Sequence, residues 1–262
     1  MQIVVTVKQV PDPNFPPADI HLDATGRRIA APPNVPPVMN GYDANALEEA
    51  LRLKEQHGGR VSALSLGDDS CRPVLKRAVG MGADYALLLG DESWLCADAG
   101  GIGQVIAAAV RKLGMPDLVL CGRQASDTDG GQVLFRIAHA LGFPVVTPVS
   151  KIESVEAGAL VVQRLAGDTV QRLRVRLPAL LGISSEINEP RNPSMRGLAA
   201  ATRMRVPRWS AADLDVPALS ARVTPRQVRV IESSAMAELV AGDTGAQRGI
   251  ALAERLHAQG LI

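Results

Sequence analysis

The residues best suited to chemistry in this 262-residue chain are gathered in Cys121-Gly-Arg-Gln-Ala-Ser-Asp-Thr-Asp-Gly-Gly-Gln132. An apolar run ends at Cys121, and helical spacing resumes after Gln132. A strand that enters a polar, glycine-rich turn and then a helix points backbone N–H groups and a positive helix end at one place, and such a place holds an anion. Gly122, Gly130 and Gly131 let a phosphate come close to the backbone. Ser126 and Thr128 add hydroxyls, and Arg123 adds a charge. The stretch has neither the G-K-S/T of a Walker loop nor G-x-G-x-x-G. A plainer reading stays open, in which this is an ordinary loop with Asp127 or Asp129 as a helix cap.

Other candidates carry less. Gly100-Gly-Ile-Gly103 opens a helix with no strand directly before it, so it reads as close helix packing. Lys8 follows the first strand, and with Asp12 it lies where a ligand would sit, though a lone Lys–Asp pair reads as structural. Glu48 and Glu49 read as a solvated helix face. Cys71, Cys96 and Cys121, and His21, His57, His139 and His257, are scattered. Their spacing offers no metal pattern, disulfide framework, Ser-His-Asp set or Cys-His set.

These residues need a scaffold, and the periodicity describes one. Residues 2–7, 61–66, 85–89 and 117–121 are short apolar runs that read as buried strands. Helical patterns lie between and after them. The first begins at Asp43 as N-cap, with Ala46, Leu47, Ala50, Leu51 and Leu53 inward; the others span residues 71–79, 97–113 and 132–141. Strand and helix alternating in this way predict a parallel sheet with right-handed crossovers. Ligands bind such sheets at the carboxyl ends of the strands, which singles out residues 8–12, 40–43, 66–69 and 122–132. Residues 11–41 read as a long loop with a hairpin around Ala24-Thr-Gly26. Residues 160–165 and 171–177 read as a hairpin turned by Ala166-Gly-Asp168, and 180–184 as another buried strand. The proline-rich stretch 190–225 reads as an extended arm, and 246–259 as an amphipathic helix. The predicted domains are 1–190 and 191–262.

Composition agrees. With 47% hydrophobic residues and only 3% aromatics, the core must be built from Val, Leu, Ile and Ala, as parallel strands covered on both faces require. The formal net charge of +1 gives no general attraction for a polyanion, so nucleic acid is not an expected partner. The opening residues read as a strand and not as a secretory leader. No apolar run approaches the roughly 20 residues that span a bilayer. The expected location is the cytoplasm, without membrane insertion.

Taken in order, several segments resemble the beta subunit of electron-transfer flavoproteins. They are Val7-Lys-Gln-Val-Pro-Asp12, Met39-Asn-Gly-Tyr-Asp43 with the helix that follows, Val79-Gly-Met-Gly-Ala-Asp84, Gly122-Arg-Gln-Ala-Ser-Asp127, Leu177-Pro-Ala179 and Asn188-Glu-Pro-Arg191. The resemblance implies an α/β fold, a doubly wound, mostly parallel sheet of the adenine-nucleotide-binding (HUP-like) type, with a β-hairpin and an extended C-terminal arm. It implies a heterodimer with an alpha subunit that carries most of the FAD contacts, and a structural AMP in this chain. Carried over by position, the cofactor-binding residues are Thr6, Lys8, Asn40, Gly41, Tyr42, Asp43, Leu66, Gly122, Arg123, Gln124, Ala125, Ser126, Asp127, Thr128, Asp129, Gly130, Gly131, Gln132 and Val133. Tyr42 aligns with an aromatic near the flavin ring, and Met195 with the apolar anchor of a partner-recognition loop. The implied work is electron transfer from flavin dehydrogenases, such as an acyl-CoA dehydrogenase of fatty acid oxidation, to an electron-transfer-flavoprotein quinone oxidoreductase or another acceptor. No catalytic residue is implied in this chain.

The departures bear on the nucleotide and the partner. The AMP-binding type continues N-Q-T-G-Q after the acidic pair, where this chain has Gly131-Gln132-Val133-Leu134-Phe135. Gln132-Val133 looks more like the electron-bifurcating type, whose pocket holds a second FAD and which oxidises NADH; that type continues Gly-Pro. Pro13 and Ala166 replace a common aromatic and a common acidic residue, and the basic stretch after the recognition loop is reduced to Arg196, Arg203 and Arg205. The alternatives are therefore a bifurcating subunit with its own FAD, or a stand-alone AMP- or ATP-binding sensor module.

Overall fold

The computed structural model of the chain describes residues 1–14, 21–23, 26, 29, 35–94, 97–216, 219, 221–230 and 237–262. In chain order the elements are β1 (Gln2–Thr6), β2 (Gln9–Val10), β3 (Val38–Met39), α1 (Gly41–His57), β4 (Arg60–Leu66), α2 (Arg72–Met81), β5 (Tyr85–Leu89), α3 (Ala99–Lys112), β6 (Leu118–Gly122), α4 (Val133–Leu141), β7 (Val145–Glu156), β8 (Ala159–Ala166), β9 (Thr169–Arg176), β10 (Ala179–Ile183), α5 (Met195–Arg203), β11 (Arg208–Trp209), α6 (Ala211–Leu214) and α7 (Gly245–Ala258). They fall in two compact units, Met1–Val228 and Arg229–Ile262.

The first unit is built on a sheet of order β11-β5-β4-β1-β6-β10-β7-β8-β9. Every pairing from β11 to β7 is parallel, and the β7–β8–β9 hairpins are antiparallel. The chain runs outward from β1 to β4 and β5, then crosses back to β6 on the other side of β1. The order therefore reverses between β1 and β6, and this is where a doubly wound sheet opens a crevice. Side chains alternate along β1 because strand periodicity is two. Ile3 and Val5 pack into one core with Leu47, Leu51 and Leu75 of α1 and α2. Val4 packs into the other with Val105, Ile106 and Ile137 of α3 and α4. The α/β, mostly parallel fold read from the sequence is the one formed.

Several elements differ from the sequence reading. Residues 11–41 do not stay irregular to their end: β2 pairs with β3, so the long excursion returns beside the point where it left, and Asn40 N–H donates to the Lys8 carbonyl at 2.9 Å. Helix α1 starts at Gly41 with Asn40 as N-cap, so Asp43 is its third residue and not its cap. Leu22 and Ile29 form an antiparallel bridge, while Ala24 and Thr25 of the expected hairpin turn lie outside the described residues, as does Cys96. Strand β7 has no counterpart in the sequence reading, and Pro148 stands within it. The expected extended arm holds α5, α6 and β11, the last adding to β5 at the sheet edge.

Gly100-Gly-Ile-Gly103 serves packing, as read. A Cβ on Gly103 would stand 2.4 Å from Arg136 Cβ and 3.0 Å from its backbone, so α3 and α4 approach through that glycine. In the second unit, α7 opens with a Thr244–Gln247 capping box, and no residue of the helix is buried. Among the described residues no helix is long and apolar enough to cross a membrane.

Candidate functional site

At the switch point between β1 and β6 one carboxylate binds both strand ends. Asp43, in the first turn of α1, accepts the Lys8 amide at 2.7 Å on Oδ2 and the Gly122 amide at 3.0 Å on Oδ1. It thus joins the ends of both strands to α1. Asp43 is 6% exposed. Burial pushes its carboxyl up to about 7, against the opposing pull of the Lys8 amide, Asn40, the Gly122 amide and the Lys8 charge. The approach requires glycine at 122, where a Cβ would lie 2.4 Å from Asp43 Oδ1 and 2.7 Å from Tyr42 Cβ.

Asn40 shapes the loop beyond β6. It is 1% exposed, its Nδ2 donates to the Gln124 carbonyl at 2.8 Å, and its Oδ1 accepts the Ser126 amide at 3.2 Å. The loop turns on itself through the Asp129 amide to the Ala125 carbonyl, 2.8 Å, with Asp129 at φ 45° and its carboxylate held by Gln124 Nε2 at 2.9 Å. Lys8 Nζ donates to both carboxylate oxygens of Asp127, each at 2.7 Å. Asp12 is not the partner of Lys8, and instead accepts from the Asn14 amide at 2.9 Å.

Arg123 takes the opposite flank. Its amide donates to the Ile183 carbonyl of β10 at 2.9 Å. Its guanidinium stacks over the Tyr42 ring, 4.9 Å from the centroid, and Nη2 donates to the Tyr42 hydroxyl at 3.2 Å. Arg123 Nε is buried without a hydrogen-bond partner.

The two helices that begin at this crevice have no side-chain cap. Asn40, the N-cap of α1, spends its side chain on the loop, and Gln132, the N-cap of α4, makes no capping bond. Neither Asp127 nor Asp129 caps α4, because both carboxylates are held within the site by Lys8 and Gln124. Asp98, Ser194 and Thr244 cap α3, α5 and α7, whereas α2 also starts without a side-chain cap. The first amides of any helix lack intrahelical acceptors, so α1 and α4 bring unspent donors and two positive helix ends to one crevice. The set can take up an anionic group.

The structure therefore brings Lys8, Asn40, Tyr42, Asp43 and Gly122 to Asp129 into direct contact. Gly41, Gly130, Gly131, Gln132 and Val133 adjoin them at the two helix starts. Thr6, at the end of β1, meets the Cys121 thiol, which burial pushes up to about 12 and leaves without nucleophilic character. Leu66 ends β4, the neighbour of β1, beside a cleft of about 400 Å³ lined by Asp68, Asp69, Asp91, Glu92 and Arg208. Met195 is not part of the crevice. It stands 83% exposed at the start of α5, which packs on α2. Among the described residues no group of His, Cys, Asp and Glu is arranged to hold a metal ion.

Glu48 and Glu49 overturn the solvated-face reading, being 3% and 8% exposed. Glu48 receives Arg191 through Nε at 2.7 Å, Nη2 at 3.0 Å and the backbone amide at 3.1 Å, and Arg52 Nε at 2.9 Å. Burial alone would raise the Glu48 carboxyl, but these bonds outweigh it and hold the group below its usual range. Burial raises Glu49, opposed mainly by the Asn188 amide donating at 3.1 Å. Arg191 also pairs with Glu55, and Asn188 exchanges hydrogen bonds with Asn45. The Asn188-Glu-Pro-Arg191 motif thus clamps the segment leading to α5 onto α1. Sequence reasoning singled out the motif but not its partners on α1.

The chain is similar to known proteins over most of its length. The electron transfer flavoprotein domain matches residues 33–214. The chain is 38% identical to the electron transfer flavoprotein subunit beta of Thermoanaerobacterium thermosaccharolyticum, over 82% of this chain and 81% of the relative. It is 40% identical to the protein FixA of Azorhizobium caulinodans, over 91% and 86% respectively. It is 37% identical to the caffeyl-CoA reductase-Etf complex subunit CarD of Acetobacterium woodii, over 87% and 86%.

Proposed function

Since the chain belongs to the electron-transfer flavoprotein family, with an electron-transfer role, a flavin in the complex and an alpha subunit as partner, we propose that it holds AMP in the crevice between β1 and β6 and helps to enclose an FAD shared with that alpha subunit. The supporting observation is the pair of uncapped helix starts at the crevice, α1 and α4, joined by the loop that Asn40 and Lys8 hold. Free amides at helix N-termini bind phosphate through fixed dipoles. Gly122 admits close backbone approach. Tyr42, stacked under Arg123, supplies an aromatic surface for the edge of the flavin ring. The flavin supplies the one- and two-electron chemistry, and this chain binds, orients and excludes water.

The proposed donor is a flavin dehydrogenase. An acyl-CoA dehydrogenase of fatty acid oxidation is one such donor. It would dock where Met195 is exposed, in the arm that follows the nucleotide-binding residues 1–190. The proposed acceptor is a membrane quinone reductase, reached from the cytoplasm. A second reading, FAD in place of AMP, is favoured by Gln132-Val133 at the start of α4. Co-expression with the alpha subunit and mass spectrometry of released nucleotides decides. One AMP and one FAD per heterodimer support the first reading, and two FAD support the second. A heterodimer with FAD alone removes the crevice as a nucleotide site, and a freely exchanging nucleotide on the chain without its partner points to a sensor module.

A further inference from the structure

Among the described residues no carboxylate pairs with the Arg123 guanidinium. The nearby carboxylates are committed elsewhere: Asp127 to Lys8, Asp129 to Gln124, and Asp43 to the Lys8 and Gly122 amides. Among the described residues the guanidinium makes a single hydrogen bond, to the Tyr42 hydroxyl, and a stacking contact with the same ring. Its Nε–H is buried and unspent. A guanidinium has five donors, and leaving a buried one unpaired is costly. The Nε–H is covered by the chain itself, so what a group outside the chain would balance is the charge.

Position indicates what that group is. The loop beyond β6 folds toward β1, through Asn40 to Gln124 and Ser126 and through Lys8 to Asp127. Arg123 is anchored on the other flank, by its amide to Ile183 of β10 and by its side chain to Tyr42. The charge thus lies away from the turn that would hold a nucleotide phosphate and over the ring placed at the flavin edge. Two electrons and one proton delivered by the donor dehydrogenase leave the reduced flavin ring with one negative charge. A fixed, partly buried cation near that ring stabilises the reduced form more than the oxidised one.

Resting on the reading that an FAD shared with the alpha subunit meets Tyr42, we propose that Arg123 is a redox-tuning residue, held over Tyr42 so that its charge lies near the flavin and favours the reduced state. The test uses the alpha–beta heterodimer with Arg123→Met, Arg123→Lys and Tyr42→Phe. Spectroelectrochemical titration of bound FAD is read together with the FAD and AMP content. The expected result for Arg123→Met is a shift of the flavin equilibrium toward the oxidised form by on the order of tenfold at fixed poise, with FAD content unchanged. Arg123→Lys keeps the charge and most of the potential; Tyr42→Phe, which frees the guanidinium, gives a smaller shift in the same direction. An unchanged potential in flavin-loaded Arg123→Met overturns the proposal, as does loss of AMP without a change in potential, which would assign Arg123 to a phosphate. If Arg123→Met does not assemble, the Tyr42→Phe titration decides by the same criterion. A wild-type heterodimer lacking FAD would instead defeat the underlying reading.

Discussion

Asp43 and Gly122 are joined by a 3.0 Å hydrogen bond from the strand-end amide to a carboxylate in the first turn of α1. The same carboxylate takes the Lys8 amide at 2.7 Å, so one buried side chain sets the spacing of β1, β6 and α1 where the strand order reverses. The crevice therefore depends on a buried group.

Asp43→Asn tests this dependence. The amide group of asparagine can accept from only one of the two strand-end N–H groups, and its NH2 then faces the other. One buried donor is left unpaired, at a cost of about 1–3 kcal/mol. Chemical denaturation near pH 4 should show a loss of that size, and nucleotide content of the heterodimer should fall. The pH dependence has a defined sign. With the folded pKa raised to about 7 from 3.8, the folded state binds more protons than the unfolded state between these values. The contribution of Asp43 to stability is therefore fully present below pH 4 and declines as pH rises to about 7. The stability difference between wild type and Asp43→Asn, measured by denaturant titration from pH 4 to 8, should move against wild type through that window and level off above it. A flat difference would mean that Asp43 is ionised throughout.

Gly122→Ala tests the close approach directly. The added methyl would meet Asp43 Oδ1 at 2.4 Å and Tyr42 Cβ at 2.7 Å, and neither can yield without moving the start of α1. Overpacking of this kind costs about 1–3 kcal/mol. Gly130→Ala is the control, since a Cβ there meets nothing within 4 Å. Thermal denaturation should separate the two variants, and equal melting temperatures would refute the steric account.

How much of this was legible beforehand follows from the range of the interactions. The alternation of apolar runs and helical patterns is local, so β1, β4, β5 and β6 and the loop at Gly122 to Gln132 could be read from spacing. The structural roles of Glu48 and Glu49 could not. Charged residues at helical spacing look solvated when the arginine and asparagine that cover them lie 143 and 139 positions away. Asp43 looked like a helix cap for the same reason, since its acceptor role is defined by two strand ends, 35 and 79 positions distant. Strand β7 carries Pro148, which works against a strand pattern, and β11 is two residues long, too short for a periodic signal.

Met195→Ala tests partner docking. The side chain is 83% exposed, so its removal should leave stability within about 0.5 kcal/mol and FAD content unchanged. Stopped-flow reduction of the heterodimer by an acyl-CoA dehydrogenase should be several-fold slower, through weaker docking of an adaptable apolar anchor. An unchanged rate removes Met195 from the recognition surface.

The Arg191–Glu48 clamp makes the last prediction. Glu48 is held at 4% side-chain exposure and Arg191 at 34%, so the pair is neither a surface ion pair nor a fully buried one. Replacing Arg191 leaves the buried Glu48 with Arg52 alone, and replacing Glu48 leaves Arg191 with Glu55 alone; complete loss of pairing costs about 3–5 kcal/mol at a fully buried site. Solvent at the arginine screens part of this, and about 2 kcal/mol is expected here. Arg191→Gln and Glu48→Gln should each show a loss of that order in chemical denaturation, while the double variant Arg191→Met with Glu48→Leu should cost less than the sum of the two. The loss should also be local. Because Asn188 and Arg191 precede α5 and grip the middle of α1, hydrogen exchange in Arg191→Gln should quicken across Met195–Arg203, with β1 and β6 still protected. Equal quickening throughout the sheet would mean that the clamp supports the whole first unit and not the presentation of α5.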